Sequence, residues 1–418
     1  AYECYLSYSH WRCDPALVNR FVENAATTIV KMRDEVGAVY EDVNITAPDQ
    51  PGELMTWHLP EGEIARVIEL LEADARRRDV DIFLSTPATR IVRGEDGKIK
   101  GVIATDADGE TVSLGAKAVV VGTGGYAANP ELLNKYAKHN AGERLINVGG
   151  PGNTGDGIMM MKDVGAIENP NIGTILLFPF MREKTITSHV NNAGMQPSLW
   201  VNKYGQRFTN ETVGLNFGHA GDLIFGNPDS MYWAIIDQDY IDSLVNKGNH
   251  VGIGVYVHNY EKLVNLPVEI EADAENEERS NVQKADSIEA LAAKIGVAPE
   301  ILKEEVDSYN GSATRGVDER YRKEAKYLAP LSKSPFYAIK METGIMISMG
   351  AMLINEYMQA LDADGKVIPG LYCVGCDAGG MYGESYQLTI PGSANGFALT
   401  SGWLSADDIA EKINAGVL

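Results

Sequence analysis

The chain predicts an α/β fold interrupted by an inserted second domain, and three observations carry that prediction. Two apolar strands, Ala118–Gly122 and Leu371–Val374, each run into a glycine-rich turn and then a helix, the alternation that builds a parallel sheet. Short β-type runs between about 81 and 122 are punctuated by hairpin turn signals. From about Pro170 to Ser334 the character changes to mixed aromatic and polar segments, which reads as an α+β insertion.

In chain order, Asp14-Pro15 supplies an N-cap and a first-turn proline. Leu17, Val18, Phe21, Val22, Ala25, Ile29 and Met32 follow at helical spacing. A second helix is expected from near Pro60 through Ile64, Val67, Ile68, Leu71 and Ala75. It ends in Arg76-Arg77-Arg78, where cations suit the negative end of the helix dipole. Strands are then expected at Asp81–Leu84, Thr89–Arg93, Ile99–Thr105, Thr111–Leu114 and Ala118–Gly122. Glu95-Asp96-Gly97 and Asp106-Ala107-Asp108-Gly109 supply the hairpin turns, so a three-stranded meander should feed the apolar strand. Asn129-Pro130 opens one helix and Asp156–Val164 forms another. The middle segment carries a Glu-rich stretch from Glu269 to Lys284, with helices at Ser287–Ile295 and Pro299–Tyr309. At Ser334-Pro335-Phe336-Tyr337 the chain returns to strand-like sequence, and a last helix runs from PGSANG toward Ile413.

Composition bounds the function. At 418 residues the chain has room for two or three domains. Its 44% hydrophobic and 22% charged content is that of an ordinary globular protein. A net charge of −22 argues against nucleic-acid and anionic-lipid partners. No apolar run is long enough to span a bilayer and the start lacks a basic-then-apolar signal pattern, so no membrane insertion and a cytoplasmic location are expected. Four cysteines exclude a disulfide scaffold.

The most informative segment is Gly370–Gly402. Its glycines strip side chains from a loop where something large must approach the backbone. The helix that follows offers unpaired N–H groups and partial positive charge at Ser393, Ala394 and Asn395, suited to an electron-rich ring; an ordinary strand–turn–helix crossover would look the same. Gly122-Thr123-Gly124-Gly125 ends a strand of the kind that delivers its C-terminal end to a ligand crevice, or is simply a tight turn before Asn129-Pro130. Gly150-Pro151-Gly152-Asn153-Thr154-Gly155 matches G-x-G-x-x-G literally. Pro151 stiffens that turn and no second βαβ unit follows, which counts against a nicotinamide site. Cys373-x-x-Cys376 lies at a strand end without further ligands, so buried thiols are expected and no metal site is. Among the histidines His219, in Phe217-Gly218-His219-Ala220, is the one inside a motif-like segment. There is no G-x-S-x-G elbow for a nucleophilic hydrolase.

Taken in order, strand-GTGG-Y-x-x-NPE, TGDGI, VNKYGQRFTNE, PFYA and GLYCVG with its glycine-rich loop and helix resemble the FAD-dependent fumarate reductase / 3-ketosteroid dehydrogenase flavoprotein family across nearly the whole chain. The resemblance implies an FAD-binding, Rossmann-like domain made of residues 1–169 and 335–418, with a capping domain at 170–334 and substrate between flavin and cap. It implies that FAD is lined by Gly122, Thr123, Gly124, Gly125, Thr154, Gly155, Asp156, Gly157, Gly350, Gly375, Cys376, Asp377, Ser393, Ala394 and Asn395. In the family an acid commonly follows the glycine of GLYxxG and binds the ribose; here Cys376 takes that place with Asp377 beside it. The family also opens with a strand, a G-x-G-x-x-G turn and a helix that this chain does not contain, so the N-terminal βαβ is expected to be truncated, cleaved or on another chain.

Flavoproteins of this type move a hydride between flavin N5 and a substrate carbon while a protein acid or base handles the proton. Fumarate reductases resemble the chain but use cationic residues where it has Leu215, Ile347 and the loop Tyr382, Glu384, Ser385, Tyr386. An apolar site without a cationic clamp does not suit a dianion. Ketosteroid dehydrogenases place tyrosines where this chain has Leu215 and Ile390. The reading is therefore reduction of an activated C=C bond next to a carbonyl in a small apolar or ring-containing substrate. Tyr386 is the expected acid, with Tyr382 and Glu384 as helpers, although both tyrosines would also serve as mere pocket lining. A steroid-type desaturase and a non-catalytic flavin-fold subunit remain the alternatives. An electron donor or acceptor protein is implied but unidentified.

Overall fold

The computed structural model describes residues 1–45, 56–137, 141–253, 256–276, 281–383, 386, 388 and 390–418. After helices Tyr2–Tyr8 and Pro15–Lys31, strands β1 (Tyr40–Ile45) and β2 (Thr56–Pro60) pair as an antiparallel ribbon before helix Glu63–Arg77. The Asp14 cap is real: its carboxylate accepts from the N–H groups of Ala16 (2.9 Å) and Leu17 (3.3 Å).

Strands β3 (Ala88–Arg93), β4 (Ile99–Thr105) and β5 (Thr111–Gly115) form the expected antiparallel meander, and β6 (Val119–Val121) follows. The strand expected at Asp81–Leu84 does not form. Residues 81–83 are irregular and Leu84 enters a turn, with Phe83 and Leu84 exposed, because a short run without a neighbour to pair with gains nothing by extending.

The middle of the chain builds a sheet around one long strand. Short β7 (Ile146–Asn147) is followed by β8 (Thr174–Phe180), β9 (Leu199–Val201), β10 (Met231–Asp237), β11 (Val282–Ala285) and β12 (Phe336–Met349). The first half of β12 pairs antiparallel with β10 and β11, and its second half with β8, so residues on both sides of position 334 share hydrogen bonds. Helices Ile288–Lys294 and Pro299–Arg315 cover the outer face of this sheet, with Leu291, Leu302, Val306 and Tyr309 buried on it.

Strand β13 (Gln359–Leu361) pairs antiparallel with β14 (Val367–Cys373), and β14 lies parallel to β6. The two apolar strands that suggested the fold class are thus neighbours. The final helix, Ser393–Asn414, packs along Pro15–Lys31, with Phe21 edge-on to Phe397 at 5.9 Å and the Thr400 hydroxyl donating to Thr28 at 2.9 Å. Among the described residues no helix is long and apolar enough to cross a membrane.

Candidate functional site

Because β6 and β14 run parallel with Val121 opposite Cys373, the glycine-rich turns at their C-terminal ends meet. Asp377, at the end of the single turn Gly375–Asp377, is buried and reaches into the Gly122–Gly125 turn. Its carboxylate accepts from the Thr123 N–H and hydroxyl, the latter at 3.0 Å, and from the N–H groups of Gly124 (3.2 Å) and Gly125 (3.0 Å). Burial pushes the Asp377 pKa up, while these donors oppose the rise by favouring the ionised form. The amides of this turn are therefore committed to a protein carboxylate. What it offers a ligand is its exposed edge, Gly122 and Thr123.

Gly125 has a φ of +83°, and a Cβ there would stand 2.6 Å from Ser348 Oγ, which accepts from the Tyr126 N–H at 2.7 Å. Further contacts draw in the other expected segments. Gly155 N–H donates to the Gly125 carbonyl at 2.9 Å, and Gly157 N–H to Thr123 Oγ1 at 3.2 Å. Gly350 N–H donates to the Cys376 carbonyl at 3.0 Å, and Thr154 Oγ1 to Asp156 at 3.0 Å. The Gly150–Gly155 sequence does not open a βαβ unit of its own. Its Asn153 packs on Gly124 and its carbonyl accepts from Ala128, so this loop buttresses the first turn.

The last helix closes the other side. Gly375 N–H donates to Ser401 Oγ at 3.1 Å, and Gly392, with a φ of +72°, leads into a first turn where Ser393 is buried, Ala394 half-buried and Asn395 exposed. Tyr386 Oη accepts from the Ala394 N–H at 3.4 Å, and the Tyr382 and Tyr386 rings stack with centroids 5.7 Å apart. Tyr5, from the first helix, tilts against Tyr382 at 6.3 Å. Among the described residues the Tyr5, Tyr382 and Ser393 oxygens are buried without a hydrogen-bond partner. Burial raises the pKa of Tyr5, Tyr382 and Tyr386, so all three phenols keep their protons and are available as donors. Glu384 lies outside the described residues.

None of the four cysteines forms a disulfide, and burial raises Cys373 and pushes Cys376 up to about 12, so neither of those two is a thiolate at neutral pH. Leu215, Ile347 and Ile390 are partly buried and pack against the main core. Two participants escaped sequence reasoning, Tyr5 and Ser348. The Tyr2, Tyr5, Tyr8 spacing, one aromatic per helical turn, was the available signal for Tyr5; nothing local singled out Ser348.

A family model described as FAD binding domain matches residues 2–389. Vinyl phenol reductase of Lactiplantibacillus plantarum is 32% identical over 407 residues, covering 95% of this chain and 80% of the relative. NADH:fumarate oxidoreductase of Klebsiella pneumoniae is 25% identical over 98% of this chain, which spans only 40% of that relative's length. Among solved structures, 3-ketosteroid delta1-dehydrogenase from Sterolibacterium denitrificans, in complex with 1,4-androstadiene-3,17-dione, superimposes with a TM-score of 0.76. At 18% identity over 99% of this chain and 88% of that one, the likeness establishes the fold.

Proposed function

Because this chain belongs to the FAD binding domain family, we propose that it is an FAD-dependent oxidoreductase that reduces an activated C=C bond in a small apolar or ring-containing substrate. One observation carries this reading. Three buried phenols and the buried Ser393 hydroxyl gather at the start of the last helix, and positions 215 and 347 are the uncharged Leu215 and Ile347. Such a pocket suits a neutral ring bearing an oxygen and disfavours a dicarboxylate, whose buried charges would go unpaired. The likeness to a vinyl phenol reductase extends the substrate class from alkenes conjugated to a carbonyl to those conjugated to an aryl ring.

The residues present fit the isoalloxazine end of FAD. The open start of a 22-residue helix with an unpartnered buried hydroxyl at its first position suits the ring's electron-rich edge. Ser393, Ala394 and Asn395 would hold that edge, with Gly122, Thr123, Gly350 and the Thr154–Gly157 segment around the ring. Cys376, partly exposed where Asp377 is buried and committed, would face the ribose. The FAD-binding domain would comprise 1–169 and 335–418, the cap 170–334, and an electron donor protein would supply reducing equivalents.

Bound FAD supplies the hydride at N5. Tyr386 donates the matching proton to the neighbouring carbon, its ionisation delayed by burial until negative charge develops there. Tyr382 and Tyr5 bind the substrate oxygen, and the stacked rings exclude water.

Stopped-flow absorbance on the flavin-loaded, pre-reduced full-length protein tests this. Reoxidation on mixing with an enone or vinyl arene is expected, and Tyr386→Phe should slow it by about 10²-fold or more. Failure of every enone, enoate and vinyl arene to reoxidise the flavin would sink the reading. Bleaching of oxidised flavin by a saturated ketone would point to the desaturase direction instead.

A further inference from the structure

Proton donation by Tyr386 leaves a negative oxygen inside the protein, and a buried charge without a partner is costly. Among the described residues the titratable groups that interact with Tyr386 are Tyr5, Tyr382 and Cys376, and burial keeps all three protonated. None of these is a cation. What steadies the phenolate must therefore be neutral hydrogen-bond donors, in the manner of an oxyanion hole.

The start of helix Ser393–Asn414 supplies two such donors. Its N-cap is Gly392, which has no side chain to bond the first amides as a serine or aspartate would. The N–H groups of Ser393, Ala394 and Asn395 are consequently left without intrahelical partners, at the end where the helix dipole concentrates about half a positive charge. Ala394 spends its N–H on Tyr386 Oη, 3.4 Å away. Ser393 is buried at the same turn, its Oγ unbonded among the described residues while the phenols are neutral. Burial raises both Tyr382 and Tyr386, and the Ser393 hydroxyl opposes that rise by favouring their ionised forms. The two rings stack with centroids 5.7 Å apart, yet their oxygens differ. Tyr386 has the Ala394 amide, whereas Tyr382 and Tyr5 have no bonded donor among the described residues.

We propose that the Ser393 hydroxyl and the Ala394 N–H form an oxyanion pocket for Tyr386, and that this pocket singles out Tyr386 among the three buried phenols as the proton donor. When its O–H bond breaks, the proton passes to the substrate carbon and the electron pair stays on Oη. Ala394 already donates to that oxygen, and Ser393 turns its free O–H toward it. Water entering after product release returns the proton, so all three residues finish as they began. Ser393 and Ala394 act through the phenol and not on the reacting carbon, which makes them positioning residues. The Ser393 and Asn395 N–H groups stay available to the flavin edge. The inference rests on the reductase reading above and deepens it.

The test places difluorotyrosine, whose phenol is more acidic than tyrosine's, at position 386 or 382 of the flavin-loaded full-length protein and follows its ionisation by fluorine NMR. An oxyanion pocket predicts a lower midpoint at 386 than at 382. Ser393→Ala should raise the midpoint at 386 by about one pH unit, the loss of one hydrogen bond to the ion. Ser393→Thr, which keeps the hydroxyl, should leave it in place. In the protein without the probe, Ser393→Ala should slow reoxidation of pre-reduced flavin at saturating alkene about tenfold, and Ser393→Thr should not. Equal midpoints at 386 and 382, or a midpoint at 386 that ignores Ser393→Ala, overturn the pocket; Tyr386 would then be only a helix cap. The titration needs no substrate, so the two readings fail separately. An unmoved midpoint in an enzyme that reduces alkenes overturns the pocket alone. A wild type that no alkene reoxidises overturns the reductase reading, and the donor role of Tyr386 falls with it.

Discussion

Asp377 and Thr123 are 254 positions apart in the chain, yet the Asp377 carboxylate accepts from both the backbone N–H and the hydroxyl of Thr123. This contact joins the ends of β6 and β14 and sets the shape of the turn that the flavin is proposed to approach.

Asp377→Asn should therefore loosen the turn. An amide nitrogen would face N–H groups that now donate to a carboxylate oxygen, and losing charge-assisted hydrogen bonds of this kind costs about 1.5–3 kcal/mol. Urea unfolding of variant and wild type measures the loss, and flavin content after gel filtration should fall in parallel. Equal stability would mean that the turn holds its shape without the counter-charge.

A second buried cluster joins Arg207, Glu211, Asp318 and Lys323. Arg207 pairs with Glu211 (2.7 Å) and Asp318 (2.7 Å), Lys323 lies 3.2 Å from Glu211, and the guanidinium sits 4.8 Å from the Tyr321 ring centroid. Burial lowers the Lys323 pKa to about 8, against the pull of Glu211, so this site has little ionic stabilisation to spare. Glu211→Gln would leave two buried cations facing one carboxylate. A loss of about 3–5 kcal/mol is expected from denaturant unfolding. A loss below about 1 kcal/mol would show that water reaches the cluster.

Acid sensitivity should trace in part to Glu168. It accepts from the Tyr136 hydroxyl and Lys162, with Lys135 at 3.4 Å. Burial works to raise its pKa, but these partners outweigh it and hold the carboxyl below its ordinary value. A carboxylate depressed on folding stabilises the native state above its unfolded pKa, and that contribution is lost as pH falls through the folded value. The melting-temperature gap between wild type and Glu168→Gln should thus be present at pH 7 and close well below about pH 4. A gap that persists at pH 2 would assign the effect to packing.

Much of the fold was legible because its signals are local. The Asn129-Pro130 pair predicted a helix start, and Asn129 Oδ1 does accept from the N–H groups of Glu131 and Leu132, both at 3.1 Å. The turns Glu95-Asp96-Gly97 and Asp106-Ala107-Asp108-Gly109 predicted the meander, because hairpin geometry depends on a few adjacent residues. The Asp81–Leu84 strand failed for the complementary reason: a strand needs a partner, and that partner is not encoded in its own four residues.

The site divides along the same line. By itself the sequence determined that two apolar strands would end in glycine-rich turns, that a long helix would start at Ser393, and that the loop before it would carry tyrosines. Periodicity, caps and turn chemistry act within a few residues. Only the tertiary structure decided that Asp377 would be spent on the first turn and so leave Cys376 as its partly exposed neighbour, that Tyr5 would lie against Tyr382, and that Tyr8 would stack on a histidine 211 positions away. Those pairings arise when separate elements bury their apolar faces against one another, and no short window of sequence records which faces will meet.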